Sequence, residues 1–235
     1  MDSLKIQVYK SKKQGIKQPL CCKNDILPKL HCTYIIVGRS GSGKSNVLLH
    51  MLNSASLLKN CFDIILYLSD SPDDSVIDNL KIPKENFLKN WNEDNIEKIL
   101  NKQEESVKNK GFLKTPSILL IFDDVLSRPK FLNSKIVLKL VTACRHFNIS
   151  TIFNTQSYKK LPRTVRINAR GIILFPSSLS ELTKFAEEQC LAGMSNKEFM
   201  KKIQYITKEP YQFAFINNDS ANETKLRKNF DLIIK

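Results

Sequence analysis

No stretch of this chain approaches the ~20 consecutive apolar residues that a membrane-spanning helix needs. Its opening segment, Met1 to Leu20, is rich in lysine but has no apolar core of the signal-peptide kind. The expectation is therefore a protein that stays inside a cell, or in a particle assembled there. No internal repeat and no low-complexity linker divides the 235 residues, which fit one large domain or at most two small ones. That length buries a core without disulfide or metal staples. Arginine is scarce, only seven of the 37 basic residues, so the net charge of +14 is carried mostly by lysine. Such a balance suits a polyanionic partner, because neutralising phosphates releases counterions. It is equally the signature of a chain rich in Lys, Asn and Ile for compositional reasons.

Six cysteines are present, and without an export signal they are expected to be reduced. Cys21, Cys22, His31 and Cys32 are a candidate zinc set, but their spacing matches no common finger and Cys32 leads straight into an apolar strand pattern. Residues 1–30 read as a basic N-terminal extension, with a candidate edge strand at Lys5 to Tyr9. Residues 31–235 read as one domain.

From Thr33 onward, continuous apolar runs alternate with helix-period segments, the pattern of a parallel sheet covered on both faces. Strands are predicted at 33–37 (TYIIV), 62–68 (FDIILYL), 117–122 (SILLIF), 150–154 and 171–175 (GIILF), with late strands at 212–216 and 230–234. Helices are predicted at 44–58, 92–110, 133–147, 179–190 and 196–206, and 69–74 (SDSPDD) as a turn.

Gly38-Arg39-Ser40-Gly41-Ser42-Gly43-Lys44-Ser45 matches the phosphate-loop pattern G-x-x-x-x-G-K-[ST] in full, between a predicted strand and a predicted helix. Glycines let the backbone curl until its N–H groups converge on phosphate oxygens. The helix that follows, from Lys44 through Asn46, presents a partial positive charge to the anion. Lys44 is expected on the β- and γ-phosphates of ATP, and Ser45 on Mg2+. The strand at 117–122 ends in Asp123-Asp124, and a carboxylate there lies beside a bound nucleotide. Asp123 is the expected Mg2+ partner, and Asp124 the group that polarises the attacking water. Gln156, after the strand at 150–154, is a candidate sensor of the γ-phosphate; the alternative is a helix-capping stretch with Thr155 or Ser157 as cap.

GRSGSGKS after TYIIV, then LLIFDDV, ACRHFNIS and TIFNTQSYKKLPRTVRINA, together resemble the poxvirus-type packaging ATPases of the FtsK–HerA superfamily. The resemblance runs over about residues 33–175. It implies a three-layer P-loop α/β fold of the additional-strand class. Numbering the predicted strands one to five, the sheet order would be 5-1-4-3-2, which puts Gln156 between Gly38 and Asp123. Many motor ATPases carry Glu where this chain has Asp124, and the shorter side chain sets the base back by about one methylene. The resemblance further implies a pentameric or hexameric ring, double-stranded DNA as the cargo, and capsid or portal-vertex proteins as partners. A virus factory in the host cytoplasm, or the virion, is the implied location. A neighbour's arginine would complete each site, with Arg145 first and Arg170 and Arg166 behind it. Lys159, Lys160, Arg163, Arg166 and Arg170, with Tyr158 beside them, form a candidate DNA-contacting run. His146 is read as a helix-end residue. A P-loop kinase, a helicase and a nucleotide-dependent scaffold are the competing functions.

Overall fold

The computed structural model describes residues 26–70, 74–80, 82–89 and 91–234. In chain order the elements are β1 (Thr33–Val37), α1 (Lys44–Asn53), β2 (Ile64–Leu68), α2 (Asp74–Asn79), β3 (Phe87–Leu88), α3 (Glu93–Lys110), β4 (Ile118–Asp123), α4 (Pro129–Leu132), α5 (Lys135–Ala143), β5 (Ile149–Thr155), α6 (Arg163–Asn168), β6 (Ala169–Leu174), α7 (Leu179–Gln189), α8 (Asn196–Ile206), β7 (Ala214–Asn217), β8 (Leu226–Lys228) and β9 (Leu232–Ile233). The strands form one sheet in the order β3-β2-β4-β5-β1-β6-β7-β8-β9. From β3 to β6 all neighbours are parallel, and β7, β8 and β9 follow antiparallel. The five central strands thus stand in the expected order, with β5 inserted between β1 and β4.

The sheet is covered on both faces because its apolar residues alternate between two cores. Ile35 and Val37 face the core built by α3, α5, α6, α7 and α8, whereas Tyr34 and Ile36 face the one shared with α1 and α2. Every residue of β1 and β5 is buried, as the unbroken apolar runs require. Leu27 and Leu30 join the second core, so the packed chain reaches back before residue 31.

Some elements differ from expectation. α1 stops at Asn53, where Ser54 turns extended, rather than continuing to 58. The helix expected at 133–147 begins at Ser134, whose side chain accepts from Val137 N, and passes into a 3-10 turn at Cys144–Phe147. The turn expected at 69–74 leads into α2, and α6 was not expected at all. β5 and β6 both pair parallel with β1, so the segment between them must return from the carboxyl end of the strands to their amino end. A six-residue helix after Pro162 makes that return.

Lys5 to Tyr9, Cys21 and Cys22 lie outside the described residues. His31 and Cys32 are buried. Among the described residues no cluster of three or more His, Cys, Asp or Glu is placed to hold a metal. No described helix is long and apolar enough to cross a membrane.

Candidate nucleotide-binding site

The chain turns at the carboxyl ends of β1, β4 and β5 bring the motif residues together. Gly38 N donates to Thr155 O at 3.1 Å, fastening the start of the phosphate loop to β5. A Cβ on Gly38 would lie 2.3 Å from Ser42 Oγ and 3.0 Å from Phe175, so only glycine lets the loop close on itself. Gly43 caps α1 with φ 101°, a left-handed conformation that glycine adopts without steric cost.

Helix capping sets α1 apart. Among the described helices of nine residues or more, α3, α5, α7 and α8 each have a side-chain cap: Asn92, Ser134, Ser178 and Ser195 respectively. α1 has none. Its first N–H groups are left for an external acceptor, with the helix dipole behind them.

These N–H groups border a cleft of about 440 Å³. Gly41, Lys44, Ser45 and Asn46 line one wall; Asp123, Asp124 and Gln156 line the other. Arg39 and Ser42 belong to the adjoining loop surface, and Ser40 lies on the shared rim. Lys44 Nζ donates to Arg39 O at 3.0 Å. Burial lowers the Lys44 pKa below the ordinary lysine value, against the pull of Asp123 and Asp124. Burial also raises Asp123 above the usual carboxylate range. Hydrogen bonds from Tyr67 Oη (2.7 Å) and Asn154 Nδ2 (2.5 Å) work the other way and fix the carboxylate in place. The Asp123 carboxylate and the Ser45 hydroxyl are hard oxygen donors on facing walls, a pair that suits Mg2+.

Asp124 is exposed, with φ 47°, and starts a 3-10 turn at Val125–Ser127. Gln156 Nε2 reaches Asp124 Oδ1 at 3.4 Å. The two side chains expected to handle water are thus neighbours. A second cavity adjoins them, lined by Arg39, Leu126, Lys160 and Glu181 among others.

Sequence reasoning missed three contributors. Tyr67 and Asn154 hold Asp123; Asn154 is the register partner of Asp123 on β5, a relation visible only once those strands pair. Tyr211 lines the cleft from the loop before β7.

The basic run does not form one patch. Lys159, Lys160 and Arg163 are exposed near the carboxyl end of β5, while Arg170 is the second residue of β6, at the opposite end of the strands. Arg166 corrects the expectation of a DNA contact: it is only 6% exposed. Its guanidinium donates to both Glu188 carboxylate oxygens at 2.8 Å and to the carbonyls of Lys159 and Leu161. Tyr158 is fully buried beneath it and bonds Glu188 at 3.0 Å. Burial opposes ionisation of Glu188, but the bonds from Arg166 and Tyr158 outweigh it and hold its pKa below the ordinary value. Arg145 and Arg170 share Asp219, at 3.8 and 3.1 Å, at the amino ends of the strands, away from the cleft of their own chain.

A complete phosphate loop facing an acidic strand end, with a strand inserted between them, defines a P-loop nucleoside triphosphatase fold of the additional-strand type. The chain belongs to the poxvirus A32 protein family, which matches it over residues 23–232. It is 22% identical over 189 residues to uncharacterized protein 015R of Frog virus 3 (isolate Goorha), covering 80% of this chain and 57% of that protein. The chain therefore spans little more than half the length of that curated relative. The genome packaging NTPase B204 of Sulfolobus turreted icosahedral virus 2, solved with AMPPCP, is 19% identical with a TM-score of 0.60, over 84% of this chain and 96% of that one. B204 from Sulfolobus turreted icosahedral virus, a DNA-packaging ATPase, has a TM-score of 0.61 at 19% identity and the same coverage. At such identities the likeness is one of fold.

Proposed function

We propose that this chain is an ATPase that drives double-stranded DNA into a viral capsid, working as a ring of subunits. One observation carries the reading: Lys44 and the uncapped start of α1 face Asp123, Asp124 and Gln156 across a single open cleft. Membership of the poxvirus A32 family and the B204-like fold support it.

In this reading the loop N–H groups and Lys44 hold the triphosphate. Ser45 and Asp123 would hold Mg2+, which when bound would neutralise phosphate charge. Asp124 takes a proton from water, whose oxygen bonds to the γ-phosphorus as the bond to the ADP oxygen breaks. Gln156, within reach of Asp124, orients that water. The half-buried Tyr67–Asp123–Asn154 bonds keep the acid from swinging as charge develops.

A neighbour's arginine completes the site. Arg145 remains the first choice and Arg170 the second; both are half-exposed beside Asp219. The exposed Lys159, Lys160 and Arg163 grip DNA phosphates without reading bases, as a motor indifferent to sequence requires. Capsid or portal-vertex proteins are the docking partners, at the host-cell site of virus assembly.

The test is ATP turnover with and without duplex DNA, alongside particle sizing with a non-hydrolysable ATP analogue. Stimulation by duplex DNA and a shift to a pentamer- or hexamer-sized particle are expected. Turnover that ignores DNA but transfers phosphate to a small acceptor would make the chain a kinase.

A further inference from the structure

The loop between α8 and β7 delivers one aromatic side chain to the phosphate loop. A Cβ placed on Gly43 would lie 3.3 Å from Tyr211 Cδ1, so the ring stands against the start of α1. Tyr211 is nevertheless 69% exposed. The aromatic residues beneath it are engaged with one another: Phe213 packs on Phe175 (5.5 Å between centroids) and on Phe230 (5.1 Å). Tyr211 forms no such ring pair among the described residues.

Its backbone is also unusual. Tyr211 has φ 63°, a left-handed conformation that an aromatic residue adopts only where its surroundings enforce it. Gln212 N donates to Glu209 O (3.3 Å), closing a turn with Pro210 and Tyr211 at its centre. Asn229 holds the chain just beyond: it accepts from Phe213 N (3.2 Å), donates from its own N to Phe213 O (2.9 Å) and donates from its side chain to Gln212 Oε1 (2.9 Å).

Tyr211 lines three cavities at once. One is the phosphate cleft, and one is the loop surface beside Pro176 and Ser177. The third, about 250 Å³, runs along the flank of α1 and is lined by His50, Leu57, Phe213 and Phe230 among others, so it alone of the two outside the cleft has phenylalanine walls. His50 lies seven residues beyond Gly43, about 10 Å along the helix axis. A nucleotide with its phosphates at Gly43 thus has an aromatic-walled space along α1 for its other end.

We propose that Tyr211 is the stacking platform for the nucleobase, which lies in this cavity along α1 while the phosphates occupy the loop. This rests on the nucleotide-binding reading above and names the residue that grips the base. Ring stacking needs a rigid, accessible face, and the closed Glu209–Gln212 turn, with the Asn229 bonds beyond it, holds that face in place.

The test measures calorimetric binding of ADP and of inorganic tripolyphosphate to the full chain and to Tyr211→Ala and Tyr211→Phe. Loss of a stacked base weakens binding by about fivefold to 150-fold. Tyr211→Ala should therefore lose ADP affinity within that range while tripolyphosphate affinity stays unchanged, and Tyr211→Phe should bind both like the parent chain. Unchanged ADP affinity in Tyr211→Ala overturns the proposal. So does an equal loss for tripolyphosphate, which would make Tyr211 a support of the loop, or a loss in Tyr211→Phe, which would credit the hydroxyl. Failure of the parent chain to bind ADP would overturn the nucleotide reading itself.

Discussion

The two ends of the parallel strands are built for different work. At their amino ends, side chains tie backbone to backbone. Gln103 Nε2 donates to Pro116 O and Phe147 O, both at 2.8 Å, and Asn148 Nδ2 donates to Phe112 O at 2.7 Å. His31 and Ser150 meet there, out of solvent. At the carboxyl ends, a lysine and two acids gather round an open cleft instead. Lys44 bonds its own loop at Arg39 O rather than either acid. The first end holds the sheet in register; the second keeps charge ready for a ligand. Substitutions at the two ends should therefore separate cleanly into loss of activity and loss of stability.

The sharpest test of that separation is Lys44→Ala. ATP turnover should fall by roughly 10³-fold or more, because the cation facing the phosphates is gone. The melting temperature should stay near that of the parent, since the change removes no core packing and about 0.5 kcal/mol at most is at stake. A variant that loses turnover by unfolding would break the comparison.

Arg166→Ala should show the converse. The Arg166–Glu188 pair is buried, with side chains 7% and 10% exposed. Removing one partner of such a pair costs about 3–5 kcal/mol, because the remaining charge is left under-compensated. Thermal unfolding should move down by roughly 6–20 °C. The salt dependence of duplex binding by the folded fraction should not change, whereas removing a surface phosphate contact lowers its slope by about 0.9. An altered slope would return Arg166 to the DNA-facing set.

Much of this division was legible in the sequence, for physical reasons. Apolar runs such as TYIIV and ILLIF can only be buried on both faces, and a loop with glycine at Gly38 and Gly43 ahead of Lys44 has one common use. The relations between distant segments were not legible. Arg166 sits in a basic run and reads as a solvated charge; its partner Glu188 lies 22 residues on, and only the return through α6 brings them together. Tyr67 and Asn154 carry no motif, and they matter because neighbouring strands set them against Asp123. Tyr211 comes 168 residues after Gly43, in a turn closed between Glu209 and Gln212 that no motif links to the phosphate loop.

The amino end offers a gentler probe through His31. Burial lowers its pKa from 6.5 to about 4, with Asp63 pulling the other way. Between those values the unfolded chain binds a proton that the folded chain excludes, so stability is greatest above pH 6.5 and declines as pH falls toward 4. From pH 7 to pH 5 the loss from this one group is about 2 kcal/mol. His31→Asn, which keeps a polar group opposite Ser150 but does not titrate, should flatten that part of the pH dependence as measured by urea unfolding. The affinity for ADP should have the same pH profile in both proteins, because His31 lies at the end of the sheet away from the cleft. If the substitution changes the nucleotide profile and leaves the stability profile unaltered, the two ends do not work independently.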